Sequence, residues 1–261
     1  MKYTKYVTSA AGLLGIGALL MACSPSEPVQ ESGYFWATPE TQAMQDDDFS
    51  NPAFMWVDIG EEQWSTVDGE EGKSCASCHG DDAAAYLKGV SISYPKYSAE
   101  DGKMRALQHQ INFERTTRMK AKAWKWESDN MLGMAAFIRN QSKGMKLNVA
   151  IDGDAAPFYA KGEEFYMQRR GGLDMACKNC HMDYPGVKIR ANVLTNGMPN
   201  GFPTYRLKWQ KIGSLHRRFR GCNKNIRATP YKQGSDEYTN LELFITARGK
   251  GMMVESPSVR N

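Results

Sequence analysis

Cys75-Ala76-Ser77-Cys78-His79 and Cys177-Lys178-Asn179-Cys180-His181 decide the fold of this chain, because Cys-x-x-Cys-His is the attachment signature of c-type haem. Each pair of thiols adds to porphyrin vinyl groups, and the histidine that follows sets an imidazole nitrogen under the iron as proximal ligand. A disulfide, a redox Cys-x-x-Cys or half a zinc site followed by a chance histidine would account for one such stretch. Two in one chain point to two covalently bound haem c groups, with Cys75, Cys78, Cys177 and Cys180 as thioether cysteines and His79 and His181 as iron ligands.

An internal repeat surrounds the two motifs. Ser128-Asp129 through Phe137-Ile138 to Lys143-Gly144-Met145 matches Ser235-Asp236 through Phe244-Ile245 to Lys250-Gly251-Met252 at a constant offset of 107. Each copy opens with a serine able to cap a helix, places apolar residues at helical spacing and closes at a glycine. Upstream, Lys103, Leu107 and Ile111 align with Lys211, Leu215 and Phe219 at an offset of 108. Each half therefore reads as a helix, the haem motif, a loop, a second short helix and a terminal helix. The predicted architecture is mostly α-helical, two tandem c-type cytochrome domains related by this repeat. The seam falls near Lys146 to Pro157, and the following helix is predicted from about Asp154 to Arg170, stopped by Gly171-Gly172. Domain boundaries follow at 51–148 for the first haem and 149–261 for the second.

The N-terminus supplies a compartment suited to covalent haem. Lys2 and Lys5 precede an apolar run from Ala10 to Leu20, and Leu20-Met21-Ala22-Cys23 forms a small-residue cleavage region, so residues 1–22 read as a signal peptide. The expected location is the periplasm, with the protein soluble or lipid-anchored. Leu-x-Ala-Cys resembles a bacterial lipobox, which makes Cys23 the expected lipidation site and gives the only membrane attachment. Ordinary cleavage leaving an exported thiol is the alternative. Residues 23–50, polar and carrying Asp46-Asp47-Asp48, read as a flexible tether.

The 261 residues have 41% hydrophobic content, enough for two cores, and a formal net charge of +4, too small to indicate nucleic acid. The basic residues are uneven. Lys208, Lys211, His216, Arg217, Arg218, Arg220, Lys224 and Arg227 crowd one twenty-residue window, which reads as a solvated basic face or an anion site.

Cys222 lies inside that window, in Arg220-Gly221-Cys222-Asn223, and its aligned partner in the first half is Glu114. Outside the haem motifs and the N-terminal region it is an unpaired thiol flanked by cations, which lower a thiol pKa and make it nucleophilic. A thiolate is also a strong iron ligand. Cys222 is thus the candidate reactive residue and distal ligand of the second haem, and Arg218 sits one helical turn earlier on the same face.

These stretches, with Asn200-Gly201-Phe202-Pro203-Thr204-Tyr205-Arg206-Leu207-Lys208-Trp209, His216-Arg217-Arg218-Phe219-Arg220-Gly221-Cys222-Asn223 and Met119 to Ser128, resemble SoxA, the dihaem cytochrome subunit of the SoxAX complex of sulfur-oxidising bacteria. The resemblance implies a periplasmic L-cysteine S-thiosulfotransferase that oxidatively joins thiosulfate to a cysteine of the carrier SoxYZ, with electrons leaving to the monohaem partner SoxX. It also implies that Cys222 is the active-site cysteine, found as a persulfide, that Arg218 binds substrate, and that His181 and Cys222 are opposed axial ligands.

The chain departs from the family at the first haem. Where many dihaem members have Ile-Asn-x-Cys-Arg, with the cysteine on iron, this chain has Ile111-Asn112-Phe113-Glu114-Arg115. His109, one turn upstream, is the expected replacement ligand, with Met104, Met119 and Glu114 as the other candidates. Two other functions stay open: a dihaem cytochrome that only transfers electrons, and a thiosulfate dehydrogenase forming tetrathionate.

Overall fold

The computed structural model describes Met1, residues 30–189 and residues 192–261. Apart from Met1, the expected signal peptide lies outside the described residues, as does Cys23. Among the described residues no helix is long and apolar enough to cross a membrane.

Two helix pairs carry the architecture. After α1 (Pro39–Asp46), α2 (Phe54–Ser65) leads to α3 (Cys75–His79), α4 (Ala83–Leu87), α5 (Leu107–Phe113) and α6 (Asp129–Asn140), and α2 packs along α6. The second half repeats this with α7 (Ala156–Met167), α8 (Cys177–His181), α9 (Leu215–Asn225) and α10 (Asp236–Arg248), α7 packing along α10. The helix expected from Asp154 is α7, with a 3-10 turn over Gly153–Ala155 before it. The two predicted serine caps are both made: Ser128 accepts from the Met131 amide and Ser235 from the Tyr238 amide.

Each pair crosses at a glycine. A Cβ on Gly60 would stand 2.3 Å from the Gly133 carbonyl oxygen, and one on Gly162 would stand 2.0 Å from that of Asn240. Any side chain would force the helices apart, so backbone contact is what seats them. The cores then close around the crossing. α6 buries Met131, Leu132, Met134, Phe137 and Ile138 with Val57 and Trp64 of α2, and α10 buries Leu241, Phe244 and Ile245 with Phe165 and Tyr166 of α7. Truncating one such aromatic, Phe137, to alanine would cost about 3–5 kcal/mol.

Strands are short and peripheral. β1 (Lys96–Ser98) and β2 (Lys103–Arg105) form one hairpin, β3 (Lys188–Ile189) and β4 (Asn192–Val193) another. β5 (Thr204–Arg206) pairs antiparallel with β6 (Lys211–Gly213) and parallel with β7 (Ser258–Arg260). This last sheet belongs to the second half in sequence, yet Tyr205, Ile212 and Val259 join the core of the first half. The seam is bound too, since Leu147 donates to Met252 and Gly251 to Leu147, each at 2.9 Å.

The expected flexible tether over 23–50 is corrected for its second part. Residues 39–46 form α1, capped by Thr38, and α1 docks on β7. The Val259 amide donates to Gln45 Oε1 at 3.1 Å, and Asn51 Nδ2 donates to the Pro257 carbonyl at 2.9 Å. A polar segment is ordered here because its side chains satisfy backbone groups more than 200 residues away, which composition does not register.

Candidate active site

The second motif sits on α8, whose first turn is closed by the Ala176 amide donating to Asn179 Oδ1 at 2.9 Å. His181 Nδ1 donates to the Thr195 carbonyl at 2.7 Å, which leaves Nε2 as the free lone pair. Gly197 makes room for that ring: its φ is +74°, and a Cβ there would stand 2.9 Å from the imidazole. An imidazole oriented by a backbone carbonyl is how a metal-binding histidine is held.

Cys222 comes to the same place from α9. This helix starts at Ser214, which accepts from the Arg217 amide at 3.1 Å, and it is pinned where Arg170 Nη1 donates to Asn223 Oδ1 at 2.9 Å. The Cys222 thiol is directed at His181 and lies close to Cys177 and Cys180. Burial works against its ionisation, but the Arg218 guanidinium, contact with His181 and the Arg206 charge together outweigh burial and bring the thiol down to about 6. Cys177 moves the other way: burial, reinforced by the neighbouring Cys222 charge, pushes it up to about 12. Of these two neighbouring sulfurs, Cys222 is therefore the one that is anionic near neutral pH.

Arg206 is the site residue that sequence reasoning passed over. It lies on β5, and its guanidinium is brought down to about 10 by burial and by the nearby Arg218 and Arg217 charges, against the pull of Cys222. Arg206 and Arg217 also flank the Trp209 ring at 5.0 and 4.3 Å. Arg206 stood inside a stretch already singled out, Asn200 to Trp209, but nothing local tied it to Cys222. Outside this centre the basic window splits. Arg217, Arg220 and Lys224 line a surface cavity of about 220 Å³ with Trp209 and Gly221, whereas Lys211 pairs with Asp129 at 2.7 Å and His216 is buried.

The first motif forms α3, capped reciprocally by Ser74 and Ser77. The His79 ring lies against Tyr86 at 4.0 Å and Trp64 at 5.9 Å, and Trp64 Nε1 donates to the Gly80 carbonyl at 3.1 Å. Cys75 and Cys78 are free thiols, as are Cys177, Cys180 and Cys222, so no disulfide competes for them. Among the described residues no three His, Cys, Asp or Glu side chains converge as they would on a bare metal ion. Paired thiols on a one-turn helix ending in histidine, with His181 held to present Nε2, fit covalent haem in both halves.

His109 is committed to backbone groups at the seam, and the expectation that it replaces the missing thiolate is corrected. Its Nδ1 accepts from the Ala106 amide at 3.1 Å and its Nε2 donates to the Gly234 carbonyl at 3.0 Å, so both nitrogens are engaged. The ring packs on Trp126 at 4.8 Å in the seam between the halves.

Two repeated helical frames, each presenting Cys-x-x-Cys-His, define a c-type dihaem cytochrome, and in the second half an acidified thiol faces the histidine. Residues 59–147 match the model of the SoxA/TsdA cytochrome c domain. The chain is 44% identical over 232 residues to the L-cysteine S-thiosulfotransferase subunit SoxA of Rhodovulum sulfidophilum, covering 88% of this chain and 80% of that one. It is 43% identical to the SoxA subunit of Paracoccus pantotrophus, covering 88% and 79%. The crystal structure of SoxXA from P. pantotrophus superposes with a TM-score of 0.85 at 41% identity, over 89% of this chain and 87% of that one. The chain belongs to the SoxA family of L-cysteine S-thiosulfotransferase subunits and carries covalently bound c-type haem.

Proposed function

We propose that this subunit works in the periplasm with the monohaem cytochrome SoxX and joins thiosulfate to a cysteine of the carrier SoxYZ, with Cys222 as the catalytic residue and Arg218 as the substrate-binding one. The observation that carries the reading is Cys222 itself, a thiol brought to about 6 by cations that outweigh its burial, facing His181 of the second motif.

Thiosulfate is a dianion, and the planar fork of Arg218 suits its sulfonate oxygens, with Arg206 adding positive potential. The Cys222 thiolate and the outer sulfur of thiosulfate form a disulfide bond with loss of two electrons. When bound, haem supplies the one-electron chemistry that accepts them and passes them toward SoxX. The carrier thiolate then attacks the outer sulfur, the bond to Cys222 breaks, and Cys222 leaves as a thiolate. Arg218 steadies that leaving charge.

Cys222→Ser, assayed for thiosulfate transfer to the carrier cysteine, is expected to abolish transfer while both haems remain attached. Unchanged transfer would overturn the reading in favour of an electron-transfer cytochrome. Tetrathionate formed without any carrier would overturn it in favour of a thiosulfate dehydrogenase.

A further inference from the structure

We propose that Glu114 is the distal ligand of the N-terminal haem, an oxygen donor where the C-terminal haem has sulfur. The proposal rests on the reading that Cys75, Cys78 and His79 hold a haem, and it concerns how the two centres differ.

Position is the first argument. α5 and α9 are equivalent in the repeat, and at the offset of 108 that aligns Leu107 with Leu215, Glu114 falls where Cys222 falls in the second half. The helix also changes at this residue. α9 runs as a regular helix to Asn225, whereas α5 passes into a π turn over Glu114–Arg118, with the Met119 amide donating to the Glu114 carbonyl at 3.2 Å. Single π turns inside α-helices occur frequently at functional sites.

The carboxylate is held rather than loose. Arg105 Nη1 donates to Gln110 Oε1 at 3.1 Å, and Gln110 Nε2 donates to Glu114 Oε1 at 2.6 Å. Arg105 is itself buried and anchored by Asp101 at 2.9 Å. This relay engages Oε1 and leaves Oε2 to act as a donor. The segment that carries the carboxylate lies against the first motif, since Leu107 and Ile111 of α5 share one core with Ala76 and Tyr94, and Cys75 packs against it.

Two of the other candidates are engaged elsewhere. His109 spends both nitrogens on backbone groups, and Met104 is packed with Val149, Ala155 and Leu243 in a separate core.

A carboxylate is a hard, weak-field donor, so the N-terminal iron should be high-spin when ferric, beside a low-spin thiolate-ligated C-terminal iron. The test is electron paramagnetic resonance and electronic absorption of the purified ferric holoprotein. The expected result is a high-spin signal from about half of the iron, one of the two haems. In Glu114→Cys that signal should be lost and a second low-spin thiolate signal gained. In Glu114→Ala it should persist with a shifted charge-transfer band. An unchanged C-terminal low-spin signal in both variants reports an intact fold. Two low-spin haems in the unsubstituted protein, or a thioether band pointing to Met119, would overturn the assignment, as would an N-terminal spectrum untouched by both substitutions. A haem count of one would overturn the two-haem reading and the assignment with it.

Discussion

His109 and His216, one from each half of the chain, hold the peptide of Gly234 between them. His109 Nε2 donates to the Gly234 carbonyl at 3.0 Å, and the Gly234 amide donates to His216 Nδ1 at 2.9 Å. Trp126 stands between the two rings, 4.8 Å from each and nearly parallel to His216. Behind them His216 Nε2 lies 3.0 Å from Glu242 Oε2, out of line for a directed hydrogen bond, and Arg139 is buried within the field of the same carboxylate. The seam between the halves is thus a polar, ring-stacked clamp, not an apolar contact alone.

Gly234 is required at that clamp. Its φ is +76°, which side chains disfavour, and a Cβ would meet the Trp126 ring at 2.8 Å. Gly234→Ala is expected to destabilise the protein by about 1–3 kcal/mol from backbone strain, more if Trp126 cannot shift. Chemical denaturation of the holoprotein at neutral pH measures it, and a loss below the error of extrapolation would show that the clamp yields freely.

The clamp also makes stability depend on pH. Burial lowers the His109 pKa below its ordinary 6.5; the Gly234 carbonyl, Glu242 and Asp236 pull it up, while His216 adds to the lowering. With the folded value depressed, the unfolded chain takes up the proton first. The contribution is therefore complete above pH 6.5 and falls as pH drops toward the folded value. Comparing denaturation at pH 7.5 and 5.5, His109→Gln is expected to lose less stability on acidification than the unsubstituted protein. Equal losses would place the pH dependence on other groups.

Arg206 stands near Cys222 beside Arg218, while its Nε donates to the Asn261 carbonyl at 2.8 Å. If its charge serves the incoming dianion, Arg206→Ala should raise KM for thiosulfate about tenfold or more with a smaller change in kcat, since a hydrogen bond to a charged group is worth about 1.5–3 kcal/mol. Steady-state transfer assays over a range of thiosulfate concentrations separate the two. A variant with unchanged KM but lowered unfolding midpoint would assign Arg206 to packing against Trp209 and the β5–β7 sheet.

What the chain carried in plain view was local. The Cys-x-x-Cys-His stretches, the serine caps at Ser128 and Ser235 and the apolar spacing of α6 and α10 depend on residues within a few turns of one another, so the mostly helical repeat was legible at once, and Cys222 stood out as the candidate thiol. The pairings that only folding created join groups far apart in the chain: Gln45 to Val259, Tyr205 to the first core, Arg206 to Cys222, His109 to Gly234. No spacing rule reports these, because a backbone or charged group finds its partner by burial and geometry, after the helices have packed. For the same reason a histidine one turn from a vacated ligand position looked available in the sequence, and in three dimensions was already spent on the seam.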